Sequence, residues 1–142
     1  MRTHTMVVLL LPLGLACSGS DTAPTEARPE FATACATPKP KITASPTAVT
    51  RAPGTTGTAK FVATNNCTTN LVGWTLTSSR TGAVTSVAAP DRSSLPTLSP
   101  GQSVNVYVSY RVGSTGTGTV VLLAGRSGLT SFGYQGVTVG SS

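Results

Sequence analysis

The sequence predicts an all-β protein from its composition, the period of its hydrophobic residues and the spacing of its turn signals. Threonine, serine, glycine, alanine and valine dominate a chain of 142 residues of which 10% are charged. β-Branched threonine and valine fit a pleated sheet, and the runs of leucine, glutamate and lysine that build long helices are missing. A chain of this length predicts one domain with one modest core.

Hydrophobic alternation divides the chain from residue 41 onward into about seven short strands. In the clearest of them, four apolar side chains share one face and polar side chains the other: Val104, Val106, Val108 and Tyr110. Turn signals about every ten residues predict a single antiparallel sandwich of two sheets. The predicted strands are 41–50, 58–64, 71–77, 83–88, 103–112, 119–124 and 131–139.

Single residues add detail to three of these strands. Pro46 weakens the pairing of the first strand, which predicts an edge position or a bulge. In the third strand Val72, Trp74 and Leu76 are predicted to share the buried face, with Trp74 as the anchor of the core. Tyr107 is predicted to be exposed, as is Tyr134, and exposed tyrosine favours sugars or protein partners.

Residues 1–16 predict an export signal. Arg2 and His4 precede a largely apolar stretch that ends in small residues. This order describes a cleaved secretory signal, and the stretch is shorter than the roughly 20 apolar residues needed to span a bilayer. Residues 17–40 are rich in proline, threonine and alanine, so we predict a disordered, semi-extended tether.

The end of the signal, Leu13-Gly14-Leu15-Ala16-Cys17, resembles the lipobox of bacterial lipoproteins. In that family the cysteine is lipidated and the chain is cut just before it, so the resemblance implies a membrane anchor at Cys17. Gly14 stands where the family most often has leucine. Gly14 and Ala16 also suit an ordinary signal peptidase, which leaves a plain secreted product as the alternative. By the family's rule Ser18 implies sorting to the outer membrane of a two-membrane organism.

Three cysteines in an exported chain leave one for a partner or a modification. If the first two strands form a hairpin, Lys41 faces roughly Asn66, and the same register brings Cys35 close to Cys67. We therefore predict a Cys35–Cys67 disulfide, which an oxidising envelope permits. Cys17 is then the cysteine that remains for lipid.

Three segments resemble bacterial immunoglobulin-like surface domains: Phe61–Asn66, Leu71–Thr77 and Leu98–Ser103. The resemblance covers about residues 41–139 and implies an immunoglobulin-like β-sandwich with an adhesive or scaffolding role. The chain departs from antibody domains, because it lacks their inter-sheet cysteine pair and their tyrosine corner. The resemblance therefore transfers no binding residue, and residues 41–142 are predicted as the domain.

The chemistry of the predicted mature chain excludes the common catalytic designs. Its sole histidine, His4, lies in the signal, and Asp91 is the one acid beyond the tether. Paired-carboxylate hydrolysis needs two acids about 5–10 Å apart, and no base is present to activate a hydroxyl. The sequence predicts no enzyme, no metal site and no cofactor. Asp91 and Arg92 are predicted to form a surface turn or an ion pair.

The domain is strongly basic, which predicts attraction to anionic surfaces. The cations are scattered singly, so we predict no nucleic-acid site. Three functions stay open: a lipid-anchored module for an unknown protein or glycan partner, a subunit that adds its first strand or its tether to a neighbour's sheet, and a domain that contacts anionic envelope glycan. From Cys35 onward eight cations accompany Asp91: Lys39, Lys41, Arg51, Lys60, Arg80, Arg92, Arg111 and Arg126.

Overall fold

The computed structural model describes residues 34–113, 115–128 and 133–142, which form a β-sandwich. The predicted fold class, a single immunoglobulin-like sandwich, is confirmed. The predicted signal, Cys17 and the tether up to residue 33 lie outside the described residues. Within the described ranges no helix has the length and hydropathy needed to cross a membrane.

Eight strands build two four-stranded sheets. The first sheet has the order β1-β3-β6-β5, and the second has the order β2-β8-β7-β4. All pairs are antiparallel except β2 with β8, which is parallel. In chain order the strands are β1 (Lys41–Ala44), β2 (Ala48–Arg51), β3 (Thr56–Thr64), β4 (Thr75–Gly82), β5 (Val84–Val87), β6 (Ser103–Val112), β7 (Gly116–Gly125) and β8 (Gly133–Ser141).

The first predicted strand, 41–50, is two strands that belong to different sheets. Pro46 lies between them, and it has no N–H for a ladder bond. The edge position predicted from this proline is confirmed, because β1 and β2 each lie at the edge of a sheet. The predicted hairpin holds only for β1, where Lys41 pairs with Thr64 instead of Asn66.

The third predicted strand begins four residues later than its alternation indicated. Gly73 adopts a φ of 73°, in the left-handed region, so the extended chain is interrupted and β4 starts at Thr75. Val72 is 47% exposed, and its predicted place on the buried face was wrong. Leu71, the residue before Val72, takes the buried position instead.

Large apolar side chains from both sheets fill the space between them. Trp74 and Phe61 are fully buried, which confirms Trp74 as an anchor of the core. From β6, Val106, Val108 and Tyr110 enter the same cluster, as the alternation of that strand predicted. Aromatic side chains bury about 150–250 Å² each, so Trp74 and Phe61 carry much of the hydrophobic stabilisation of a core with few aromatics.

Asn65 is a fully buried polar residue just after β3. Its Nδ2 donates to the backbone carbonyls of Thr69 and Leu98, each at 2.8 Å, and its Oδ1 accepts from the backbone N–H of Cys67 at 2.9 Å. A buried amide is tolerated only when such bonds replace those it loses to water. Asn65 thus joins the end of β3 to the loop that leads into β6.

The predicted disulfide between Cys35 and Cys67 is present, with a Cα–Cα distance of 5.4 Å. It fastens the chain ahead of β1 to the loop that follows β3. Pro40 is buried, and its carbonyl lies so close to Gly133 that a Cβ there would come within 2.5 Å of the oxygen. The last residues of the predicted tether are therefore packed on the domain.

We expect Asn65→Ala to lower the free energy of unfolding by about 3 kcal/mol, because it removes three hydrogen bonds at about 1 kcal/mol each and leaves the buried N–H of Cys67 without its acceptor. Urea denaturation monitored by Trp74 fluorescence measures the change. Asn70→Ala, at an exposed asparagine of the same loop, is the matched control and should change the value by less than about 0.5 kcal/mol. Equal effects of the two variants would contradict the role assigned to Asn65.

We expect removal of the disulfide in the Cys35→Ala/Cys67→Ala variant to cost about 3–4 kcal/mol, because the bond closes a loop between residues 32 apart in sequence. The comparison is between the thermal midpoints of this variant and of the native chain, with and without dithiothreitol. The reductant should lower the midpoint of the native chain alone.

Candidate functional site

The two outward faces of the sandwich are the candidate binding surfaces. Successive side chains of a strand point to opposite faces of its sheet, so each sheet presents one face to the core and one to solvent. The two outward faces differ sharply in charge.

The cationic face is the outward face of the first sheet. Lys41 on β1, Lys60 on β3 and Arg111 on β6 are exposed there. Lys60 pairs with Tyr107 across β3 and β6, and the side chain of Tyr107 is 40% exposed. The predicted exposure of this tyrosine is confirmed, and it lies directly beside a cation.

Asp91 lies at the edge of the cationic face. Its Oδ1 accepts a hydrogen bond from the backbone N–H of Tyr107 at 2.8 Å, and its own N–H donates to the Tyr107 carbonyl at 2.9 Å. Its Oδ2 is 3.9 Å from Nε of Arg92, which is the predicted ion pair. The carboxylate is thus engaged in holding its loop along β6, and an exposed pair of this kind adds at most about 1 kcal/mol.

The neutral face is the outward face of the second sheet. No charged side chain occupies an outward position of its four strands, all of which lie in the described ranges. Its exposed aromatic residue is Tyr134, 71% exposed as predicted, which pairs with Leu123 on β7. Threonine and serine supply most of the rest, including Thr77, Ser79 and Thr138.

A depression of about 310 Å³ lies on the β2 side of the neutral face. Gly140 pairs with Thr50 on one side and Thr117 on the other, so a row of side chains is interrupted where the glycine has none. The depression is open to solvent, and its lining combines threonine hydroxyls with apolar surface. Its lining residues are Ala48, Val49, Thr50, Thr117, Thr138 and Gly140.

The remaining cations lie off the outward strand positions of both sheets. Arg80 sits at a core-side position of β4, and its Nη1 donates to the Val84 carbonyl at 2.8 Å. Arg51 ends β2 at a core-side position, and Arg126 follows β7. Cations that are scattered along the sequence therefore occupy outward strand positions of the first sheet and none of the second. The alternation of β3 and β6 could have revealed it, because Lys60 and Arg111 occupy polar positions of those strands.

The chain offers no grouping for metal chemistry in the described ranges, where no three His, Cys, Asp or Glu residues lie close enough to share an ion. Cys17, the predicted lipidation site, lies outside those ranges. Of the predicted site residues, the structure brings together Cys35 and Cys67.

No protein-family model matches the sequence, and no curated protein matches it. Among solved structures, the chain is similar to the secreted serine protease VesC from Vibrio cholerae, with a TM-score of 0.52 and 18% identity over 66% of this chain and 21% of that one. It is also similar to domains 4 and 5 of the S-layer protein SbsC, with a TM-score of 0.44 and 20% identity over 74% of this chain and 53% of that one.

A third similar structure is WR4, a C. elegans MSP family member, with a TM-score of 0.44 and 10% identity over 71% of this chain and 97% of that one. The chain thus spans about a fifth of VesC and about half of the SbsC fragment. The likeness to VesC is one of fold alone.

We expect Gly140→Ala to raise the free energy of unfolding by about 0.5–1 kcal/mol, because glycine inside a strand costs about that much relative to alanine. A Cβ at this position meets Thr50 Oγ1 at 3.7 Å, an ordinary contact. At Gly118 the added atom would lie 2.5 Å from the Thr81 carbonyl, so Gly118→Ala should destabilise the fold. The urea midpoints of both variants measure this difference. A loss of stability in Gly140→Ala would contradict the open space beside Gly140.

Proposed function

We propose that this chain is an exported, non-enzymatic lipoprotein of the bacterial cell envelope, and that its sandwich is a binding or scaffold module. The observation that carries the proposal is the Cys35–Cys67 disulfide. It occupies two of three cysteines, and the third, Cys17, ends an apolar segment with a lipobox-like sequence. Structural disulfides are typical of compartments outside the cytosol, which supports export.

The tether suits display of a folded module near a membrane. A fully extended chain between Cys17 and Cys35 would span at most roughly 60 Å, at about 3.3–3.6 Å per residue. Proline-rich segments are semi-extended, so the domain can reach partners without leaving the surface. Stable anchoring needs two lipid signals, which acylation of both the thiol and the new amine at Cys17 supplies.

The described residues support binding over catalysis. Asp91, the one acid among them, is engaged by the Tyr107 backbone and Arg92. The outward surfaces offer what a scaffold uses: exposed tyrosine, a cationic face and a neutral face with a hollow. Function on this architecture lies in its outer faces, since the core between the sheets is filled by side chains.

Strand addition, the alternative structural role, finds little support in the sheet edges. The edge strands β1, β2 and β5 have four residues each, and β5 carries a register shift. Short or bulged edges are a common protection against pairing with another chain. The start of the fourth edge, β4, is covered, because the Leu76 N–H donates to the Ser93 carbonyl at 2.8 Å.

Metabolic labelling tests the anchor. We expect the full chain, expressed in a Gram-negative host fed with tritiated palmitate, to carry label and to fractionate with membranes. Cys17→Ser should abolish the label, because it removes the thiol that is acylated. Cys35→Ser is the matched control, since it removes a cysteine of the disulfide and should keep the label. A mature N-terminus without acyl mass would contradict the proposal and favour a plain secreted protein.

A further inference from the structure

We infer that the cationic face is a docking surface for an anionic lipid bilayer, so that the sandwich lies on the membrane with its first sheet inward and its neutral face outward. The inference rests on the proposed function in one respect, because the lipid anchor is what brings the domain to a membrane. Its occupant is the phosphate-bearing surface of the bilayer.

The three cations form a diagonal row across adjacent strands. Lys41 on β1 is level with Thr64, and Lys60 stands four residues before Thr64 on β3. Arg111 on β6 is level with Thr56, which lies four residues before Lys60 on β3. At about 3.3 Å per residue and about 4.8 Å between strands, successive cations lie roughly 14 Å apart. A row of this length does not converge on one small anion, whereas a plane of headgroups meets all three.

The surface between these cations matches a bilayer better than a single glycan chain. Short polar side chains such as Thr58 and Ser109 separate them, and the depression of the neutral face lies on the opposite sheet. Tyr107 beside Lys60 is half exposed, and tyrosine is enriched where proteins meet the membrane–water interface. Asp91 is balanced locally by Arg92, so no free carboxylate of the described residues opposes the headgroups.

The point at which the tether joins the domain is compatible with this orientation. Lys41 is both the first residue of β1 and the first cation of the row. The disulfide holds the preceding chain at Cys35, so the tether joins the domain close in sequence to the edge strand of the cationic face. A tether with a reach of up to roughly 60 Å would let the domain rotate until that face meets the bilayer.

The expected strength of binding to the bilayer suits a protein that is already tethered to it. A cation near an anionic bilayer strengthens partition by roughly fivefold, so three strengthen it by roughly a hundredfold. That is weak for a free domain. For a domain already anchored it is enough to select one orientation, because the tether supplies a high effective concentration of bilayer. The neutral face gains nothing comparable.

Cosedimentation of the chain from residue 17 onward, carrying Cys17→Ser and no lipid, tests the inference with vesicles of phosphatidylcholine alone and with 30% phosphatidylglycerol. We expect binding only to the anionic vesicles, fading as salt rises. Lys60→Gln/Arg111→Gln should lower the partition coefficient by about 25-fold. The matched control Arg51→Gln/Arg126→Gln removes the same charge away from the outward faces and should lower it by less than fivefold.

Equal losses in the two double variants would overturn the inference, because net charge and not the face would then govern binding. Binding to a soluble anionic polysaccharide as strong as to the vesicles would overturn the choice of a bilayer. The vesicle measurement uses an unlipidated chain, so it is independent of the labelling experiment. If the full chain takes up no palmitate but the unlipidated chain binds vesicles through the cationic face, the lipid anchor alone is contradicted. If the full chain is labelled but vesicle binding does not depend on the cationic face, the docking surface alone is contradicted.

Discussion

The fold depends on how the end of β3 is fixed, since β3 lies between β1 and β6 in the first sheet. Asn65 bonds this end to the loop that leads into β6, and Cys67 bonds it covalently to the chain that leads into β1. Three neighbouring strands are thereby held at one common point. Lys41 pairs with Thr64, one residue before Asn65, so these bonds hold the end of the cationic face at which Lys41 lies.

The strands were predictable wherever hydrophobic alternation and turn residues agreed. β6 is the example, because it has the bounds that the sequence predicted. The prediction failed at Val72, because the left-handed conformation of Gly73 shifts the pattern and leaves no trace in hydrophobicity alone. It also failed to separate β1 from β2. Alternation says which side of a strand is buried, whereas the sheet that the strand joins depends on contacts with distant β3 and β8.

The candidate surfaces were only partly predictable. Sequence reasoning found the exposed tyrosines and the basic charge, and it interpreted the cations as scattered because they lie far apart along the chain. Alternation places Lys60 and Arg111 on the polar side of their strands, but their common face also depends on which strands share a sheet, and hydrophobicity alone does not give that. Asn65 was missed for a related reason: asparagine after a strand is typical of an exposed turn, and its burial follows from bonds to Thr69 and Leu98.

The disulfide also determines how the domain responds to mechanical load. A pull on the chain ahead of Cys35 passes through the sulfur bridge directly to Cys67, because the covalent path is stiffer than the hydrogen-bonded one. β1, β2 and β3 lie within the closed loop, off the direct covalent path. A pull on the tether would therefore enter the domain at Cys67 and would not extend the segment between the two cysteines, which contains Lys41 and Lys60.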